Sequence, residues 1–139
     1  MKLLRMTDYA LRVLIFVAER PGRRCSVPEI AEAHGISAHH LVKIVHQLGR
    51  QGYLQTVRGR GGGISLGMAP DRINLGLLVR QFEGDDPIVD CESCVLKRHC
   101  KLACTLRLAE EAFYARLREE TLADVIRGPA QLHIETVEV

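Results

Sequence analysis

The chain has 139 residues, 47% of them hydrophobic and 4% aromatic, enough for one domain with a single modest core. No apolar run reaches the roughly eighteen residues of a membrane span, since Leu11 to Ala18 is broken by Arg12 and stops at Glu19. The formal net charge of +2 hides an asymmetry: residues 1–80 carry twelve Lys/Arg against five Asp/Glu (+7) and residues 81–139 carry seven against twelve (−5), so the N-terminal half suits a polyanionic partner.

The first predicted element is a helix from Thr7 to Ala18, with Leu11, Leu14, Ile15 and Ala18 as its buried stripe, Thr7 or Asp8 as its cap and Pro21-Gly22 as its stop. A carboxylate at Asp8 suits the positive end of the helix dipole. Cys25 stands alone in a Gly-Arg-Arg-Cys loop and reads as a small residue without a partner. Ser26-Val-Pro-Glu29 is a capping box that starts a second helix through Ile30 to His34, ended by Gly35. Ile36 is a staple and Ser37 caps a third helix, Ala38 to Leu48, with Leu41, Ile44, Val45 and Leu48 on one face. Two short helices joined at a glycine form a helix-turn-helix, the alternative being an ordinary helical hairpin. In the helix-turn-helix, Ser37, His39, His40, Lys43 and Gln47 face a major groove.

Gly52 to Val57 and Ile64 to Leu66 are the strands of a hairpin whose tip is Arg58-Gly-Arg60-Gly-Gly-Gly63. Directly after a helix-turn-helix this reads as a wing, with glycines that let the backbone approach a phosphate or enter a narrow groove and with Arg58 and Arg60 supplying charge. A nucleotide-cradling loop is set aside because no Gly-Lys-Ser/Thr sequence and no strand-to-helix context accompany the glycines. A short helix is expected from Asn74 to Phe82, broken by Gly84-Asp-Asp-Pro87.

Four of the five cysteines then fall within fourteen residues, Cys91-Glu-Ser-Cys94-Val-Leu-Lys-Arg-His-Cys100-Lys-Leu-Ala-Cys104. Thiolates at spacings of two, five and three residues can surround one soft metal centre. Disulfides are disfavoured because the opening Met1-Lys-Leu-Leu-Arg lacks a charged-then-apolar signal pattern, and a reducing, cytoplasmic setting is expected. Neither the ferredoxin spacing nor the paired C-x2-C pattern of zinc sites is matched throughout, so an iron-sulfur cluster ranks first and zinc second. After the loop, Leu102, Leu106, Ala109, Phe113 and Leu117 recur at helical spacing, a stripe suited to a partner helix. Residues 128–139 read as a loose tail.

The runs His40-Leu-Val-Lys-Ile-Val-His-Gln-Leu48 and Gly52-Tyr-Leu-Gln-Thr-Val-Arg-Gly-Arg-Gly-Gly-Gly-Ile-Ser-Leu-Gly67 resemble the winged-helix iron-sulfur regulators of bacteria. Within them the chain is most similar to the nitric-oxide-sensing repressors of the NsrR type rather than the iron-sulfur-assembly regulators of the IscR type. The likeness runs from Thr7-Asp8-Tyr9 through the cysteine loop to Thr121-Leu-Ala-Asp-Val125. It implies three loop cysteines as ligands. Cys94 and Cys100 match the last two, Cys91 takes the first position at a shorter spacing than in relatives, and Cys104 is extra. In NsrR-type proteins an aspartate at the start of the first helix of the other subunit completes the cluster, and Asp8 holds that place. In IscR-type proteins a histidine just after the third cysteine does so, and Cys104 lies one residue beyond, which makes it the rival fourth ligand.

The fold class expected is therefore mainly α, with a winged helix-turn-helix over residues 1–83, a cysteine-rich loop over 84–104, a dimerisation helix and short following helix over 105–127, and the tail. The resemblance implies a homodimeric repressor that binds double-stranded DNA at a near-palindromic operator under the control of an iron-sulfur cluster, 4Fe-4S in preference to 2Fe-2S, with nitric oxide as signal and nitric-oxide detoxification genes as targets. An iron- or redox-sensing regulator of the same fold is the alternative. An electron carrier or thiol enzyme would leave the helix-turn-helix, the arginine wing and the basic half without a role. No paired acid and base, nucleophile triad or substrate pocket is legible, and no enzyme is expected.

Overall fold

The structure, a computed structural model, describes residues 2–126; the expected tail lies outside the described residues. Six helices and one hairpin follow in order: α1 (Arg5–Ala18), α2 (Val27–His34), α3 (Ala38–Arg50), β1 (Leu54–Val57), β2 (Gly63–Leu66), α4 (Leu75–Glu83), α5 (Leu102–Arg118) and α6 (Leu122–Ile126), with a 3-10 turn over Pro70–Arg72. It is a mainly helical winged helix-turn-helix with a long C-terminal helix, as its sequence leads one to expect.

α1 is the centre of the body and packs against α2, α3, α4, α6 and β2. Its buried face is therefore broader than one stripe. Thr7, Ala10, Val13, Leu14, Phe16, Val17 and Ala18 are buried, whereas Leu11 and Ile15 are only partly covered. A helix surrounded by neighbours is apolar nearly all round, so its period alone does not pick out the innermost positions.

The expected cap is also corrected. The helix starts at Arg5, its N-cap Leu4 makes no side-chain cap bond, and Thr7 lies inside the first turn. The orphan donors find a distant acceptor instead. Glu83, the last residue of α4, accepts from the Leu4 backbone N–H at 2.7 Å and from the Thr7 hydroxyl. A carboxylate at a helix N-terminus also complements the dipole there.

α2 follows its capping box, with Ser26 and Glu29 each accepting from the other's backbone N–H. Gly35 closes the helix in the left-handed conformation at φ 61°. Ile36 is buried beneath the turn, and α3 buries Leu41, Ile44, Val45 and Leu48 as its periodicity requires.

The hairpin pairs antiparallel from Leu54↔Leu66 to Val57↔Gly63. A third segment extends it: the Cys25 N–H donates to the Ile64 carbonyl at 2.8 Å and the Ile64 N–H donates back at 2.7 Å. This explains Cys25, whose buried backbone ties the α1–α2 loop to the wing and whose thiol pKa is pushed up chiefly by burial.

α4 begins at Asn74, whose side chain caps by accepting from Leu77 N–H. Its start is stitched to the end of α5: Asn74 Nδ2 donates to the Arg118 carbonyl at 2.8 Å and Leu75 N–H to that of Glu120 at 3.1 Å. The helices approach closely at Gly76, where a Cβ would stand 2.7 Å from Arg118 N and 2.9 Å from the Tyr114 carbonyl. No described helix is long and apolar enough to cross a membrane.

Candidate DNA interface and cysteine loop

α3 turns its apolar face to the core, which leaves Ser37, His39, His40 and Lys43 exposed and Gln47 half-buried along the opposite face. Ser37 is the N-cap by position but makes no side-chain cap bond, so its hydroxyl is free for another partner. Arg58 and Arg60 stand exposed at the wing. The tip is shaped by backbone constraint: a Cβ at Gly62 would lie 2.3 Å from the Val57 carbonyl oxygen. Arg24, which the sequence reading passed over, holds this tip by donating from Nη1 to the Gly61 carbonyl at 2.7 Å. Only the run of basic residues before Cys25 hints at it, because its acceptor lies 37 residues away.

The segment from Gly84 to Lys101 contains no helix or strand and is a succession of turns. Asp90 organises the turn that carries Cys91. Its carboxylate accepts from Ser93 Oγ at 2.6 Å and from the Glu92 and Ser93 N–H groups at 3.0 and 3.4 Å, and these bonds, led by the Ser93 hydroxyl, hold its pKa below the ordinary value. The Cys94 N–H then donates to the Cys91 carbonyl at 3.4 Å and the Lys97 N–H to the Cys94 carbonyl at 3.2 Å. Cys104 lies in the first turn of α5, not in the loop, because the helix begins at Leu102.

All five cysteines are free thiols; Cys91 and Cys94 are partly covered, and Cys100 and Cys104 are exposed. Cys91 and Cys104 line one cleft of about 840 Å³ between the loop and α5, together with Arg80, Ile88, Arg107 and Glu110. The structure does not bring the remaining expected ligands to them: among the described residues no three His, Cys, Asp or Glu side chains are gathered as a metal ion would need. Asp8 is exposed on α1 and accepts from Arg12 Nε at 3.0 Å, a surface pair of little energetic weight. The donor set still fits a soft metal centre, since three unpaired thiols sit on a segment with no regular structure to distort and a fourth, that of Cys104, is exposed in the helical turn that follows it.

Two anchors join this segment to the rest of the molecule, and neither was legible beforehand. Arg80 reaches Asp85 at 2.9 Å and Glu110 at 3.8 Å, and its guanidinium lies 4.7 Å from the centre of the Tyr114 ring. Tyr114 is the buried side chain of α5, and burial raises its pKa. Glu83 sits one residue before the loop and holds the first turn of α1, which in turn packs on α3. The stripe expected to bury itself along α5 is largely open, with Leu102 58% exposed and Leu106, Phe113 and Leu117 only partly covered.

A helix-turn-helix with an exposed polar face, an arginine wing beside it and a thiol-rich segment joined to both through α1 and α4 define a winged-helix transcriptional regulator. Residues 3–128 match the Rrf2 family, iron-dependent transcriptional regulators, and the chain belongs to that family. It is 47% identical over 134 residues to the HTH-type transcriptional regulator NsrR of Bacillus subtilis, with 92% of each chain covered, and 43% identical over 138 residues to that of Geobacillus kaustophilus, covering 95% and 94%. Among solved structures it is similar to CymR, the global cysteine regulator of B. subtilis, at a TM-score of 0.68 and 27% identity over 91% of this chain and 96% of that one. The T. potens IscR structure matches at a TM-score of 0.74 and 24% identity over 91% and 86%, which shows the shared fold. The chain is accordingly a DNA-binding transcriptional regulator and not an enzyme.

Proposed function

We propose that the chain is a homodimeric repressor whose operator binding is set by an iron-sulfur cluster that reacts with nitric oxide, regulating nitric-oxide detoxification genes. The observation that carries this reading is the placement of the thiols: Cys91, Cys94 and Cys100 lie on the segment that joins α4 to α5 and Cys104 in the first turn of α5, and that segment begins directly after Glu83, the carboxylate that holds the first turn of α1. Cys91, Cys94 and Cys100 hold the cluster, 4Fe-4S in preference to 2Fe-2S. The fourth ligand is Asp8 of the other subunit or Cys104, and the cleft shared by Cys91 and Cys104 favours the thiol within one chain. A bound cluster supplies a nitric-oxide-reactive centre whose loss releases its ligands.

The chain's own residues convert that release into a change of register. While the loop is held, Arg80 and Tyr114 fix α5 against α4, and Glu83 fixes the first turn of α1. α1 sets the place of α3, whose Ser37, His39, His40, Lys43 and Gln47 face the major groove, and Arg24 aims Arg58 and Arg60 of the wing. The open stripe on α5 meets its counterpart in the second subunit, which spaces two recognition helices about one DNA turn apart. A difference of a few kcal/mol between held and released states suffices for a switch.

The test is an anaerobic titration of the purified protein with nitric oxide, followed by absorbance and operator gel shift in the same samples. Loss of the cluster band in step with loss of DNA binding is expected. A bleached cluster with the operator still bound would sink the nitric-oxide reading and put an iron or redox signal in its place.

A further inference from the structure

A concavity of about 260 Å³ lies on the seam between the first turns of α1 and the outer face of α3, lined by Arg5, Met6, Tyr9, His40, Lys43 and Ile44. Arg5 and Tyr9 are four residues apart and His40 and Lys43 three apart, so each pair shares one helix face and the two pairs meet across the hollow. No acidic side chain lines it. Asp8, the carboxylate of the same turn, is turned to Arg12 instead. Among the described residues, neither Arg5 nor Lys43 has an ion pair or side-chain hydrogen bond, and both are exposed. The turn that carries Arg5 is fixed in advance, because Glu83 holds the backbone N–H of Leu4 and the hydroxyl of Thr7.

We propose that this hollow is a DNA-backbone phosphate site, in which Arg5 and Lys43 take one phosphate from two sides and the Tyr9 hydroxyl donates to it. It rests on the reading of α3 as the recognition helix, and it deepens that reading by dividing the labour of the face. A phosphate of the strand bordering the major groove runs beside a helix seated in that groove, and such contacts set the register of a protein on DNA without reading sequence. Two cations with no carboxylate among the lining residues, and a tyrosine beside them to supply a hydroxyl, match a phosphate oxyanion better than a base edge. Lys43 thereby serves the backbone, and base reading falls to Ser37, His39 and Gln47.

The experiment uses anaerobically purified full-length protein with matched iron content and a duplex recovered by the wild type from a randomised-sequence pool. Affinity is measured from low to moderate salt for Arg5→Ala, Arg5→Lys, Lys43→Ala and Tyr9→Phe, with His39→Ala and Arg60→Ala as controls. Arg5→Ala and Lys43→Ala are each expected to weaken binding several-fold and to lower the salt slope by roughly one. Their loss should be uniform across base substitutions in the duplex, Arg5→Lys should restore the slope, and Tyr9→Phe should weaken binding without changing it. If the controls weaken binding while Arg5→Ala keeps wild-type affinity and slope, the phosphate site is wrong and the recognition helix stands. A slope loss that Arg5→Lys does not restore, or a Lys43→Ala that reorders base preferences, also overturns it. Controls without effect would remove the recognition-helix reading and this site with it.

Discussion

In the winged body, residues 5–82, the side chains of Leu14, Ile30, Leu41, Leu48 and Leu78 are fully enclosed, and the wing strand Ile64 is 2% exposed. Between Gly84 and Arg118 the buried side chain is Tyr114 alone, Val95 is 96% exposed, and even the long helix α5 shows Leu108 at 59%. The two regions have the same kind of residues available. What differs is the source of their order: the body closes on itself, whereas the arm has apolar side chains and thiols that the other described residues leave exposed or only partly covered. Under the proposed function, ligands at the thiols and a second subunit on α5 supply that order, and this is what makes the arm a reporter and the body a fixed reader.

Truncations in the two regions should break in different ways. Leu78→Ala, at a site with no exposure, is expected to lower the free energy of unfolding by about 2–5 kcal/mol at any protein concentration. Leu102→Ala, on the open stripe, should cost less, and its cost should vanish on dilution to where the protein is monomeric, since it removes a partner contact. Denaturant melts at two concentrations, read beside the monomer fraction, decide this; a concentration-independent loss at Leu102 as large as that at Leu78 would erase the contrast. At the joint between the regions, Gly76→Ala forces a methyl against the backbone of Arg118 and should cost about 1–3 kcal/mol. It should also loosen α5 from α4 and so weaken the response of DNA affinity to metal loss.

How much of this was legible in the sequence follows the same divide. The capping box at Ser26, the buried face of α3 and the hairpin were readable because their determinants lie within a few residues of one another. The cap of α1 was not, because Glu83 lies 76 residues from Thr7. Arg24 was missed for the same reason, and Tyr114 because its burial comes from Arg80 and α4 rather than from the stripe on its own helix. The stripe of Leu102, Leu106, Ala109, Phe113 and Leu117 was legible, yet periodicity says only that a face is apolar and not what covers it. The thiols were the plainest feature of the sequence, while their mutual geometry is not encoded by spacing.

Glu83 offers a finer test of how body and arm are joined. Glu83→Ala leaves the enclosed Thr7 hydroxyl and the Leu4 N–H without their acceptor and should cost about 1–3 kcal/mol. Glu83→Gln keeps an acceptor oxygen and should cost less. Hydrogen exchange should quicken first in the opening turn of α1; if it quickens in α6 instead, the carboxylate is not what holds that turn.

The smallest effect makes the sharpest comparison, because the same chemistry occurs once in each region. Glu29 has its pKa lowered mainly by the Arg23 guanidinium and then by the Ser26 N–H, and Asp90 has its own lowered mainly by the Ser93 hydroxyl and then by the neighbouring N–H groups. A carboxylate whose folded pKa lies below its unfolded one stabilises the fold above the ordinary carboxylate range and loses that contribution as the pH falls through the folded value. Glu29→Gln should therefore lower the denaturant midpoint slightly at neutral pH and flatten its fall on acidification, because the capping box belongs to the cooperative body. Asp90→Asn should leave the global midpoint unchanged at every pH and speed only local exchange at Glu92 and Ser93, because the arm opens without unfolding the body. A global midpoint that moves with Asp90 as it does with Glu29 would mean that arm and body unfold as one unit, and the arm could then not change state on its own while the winged body stays folded.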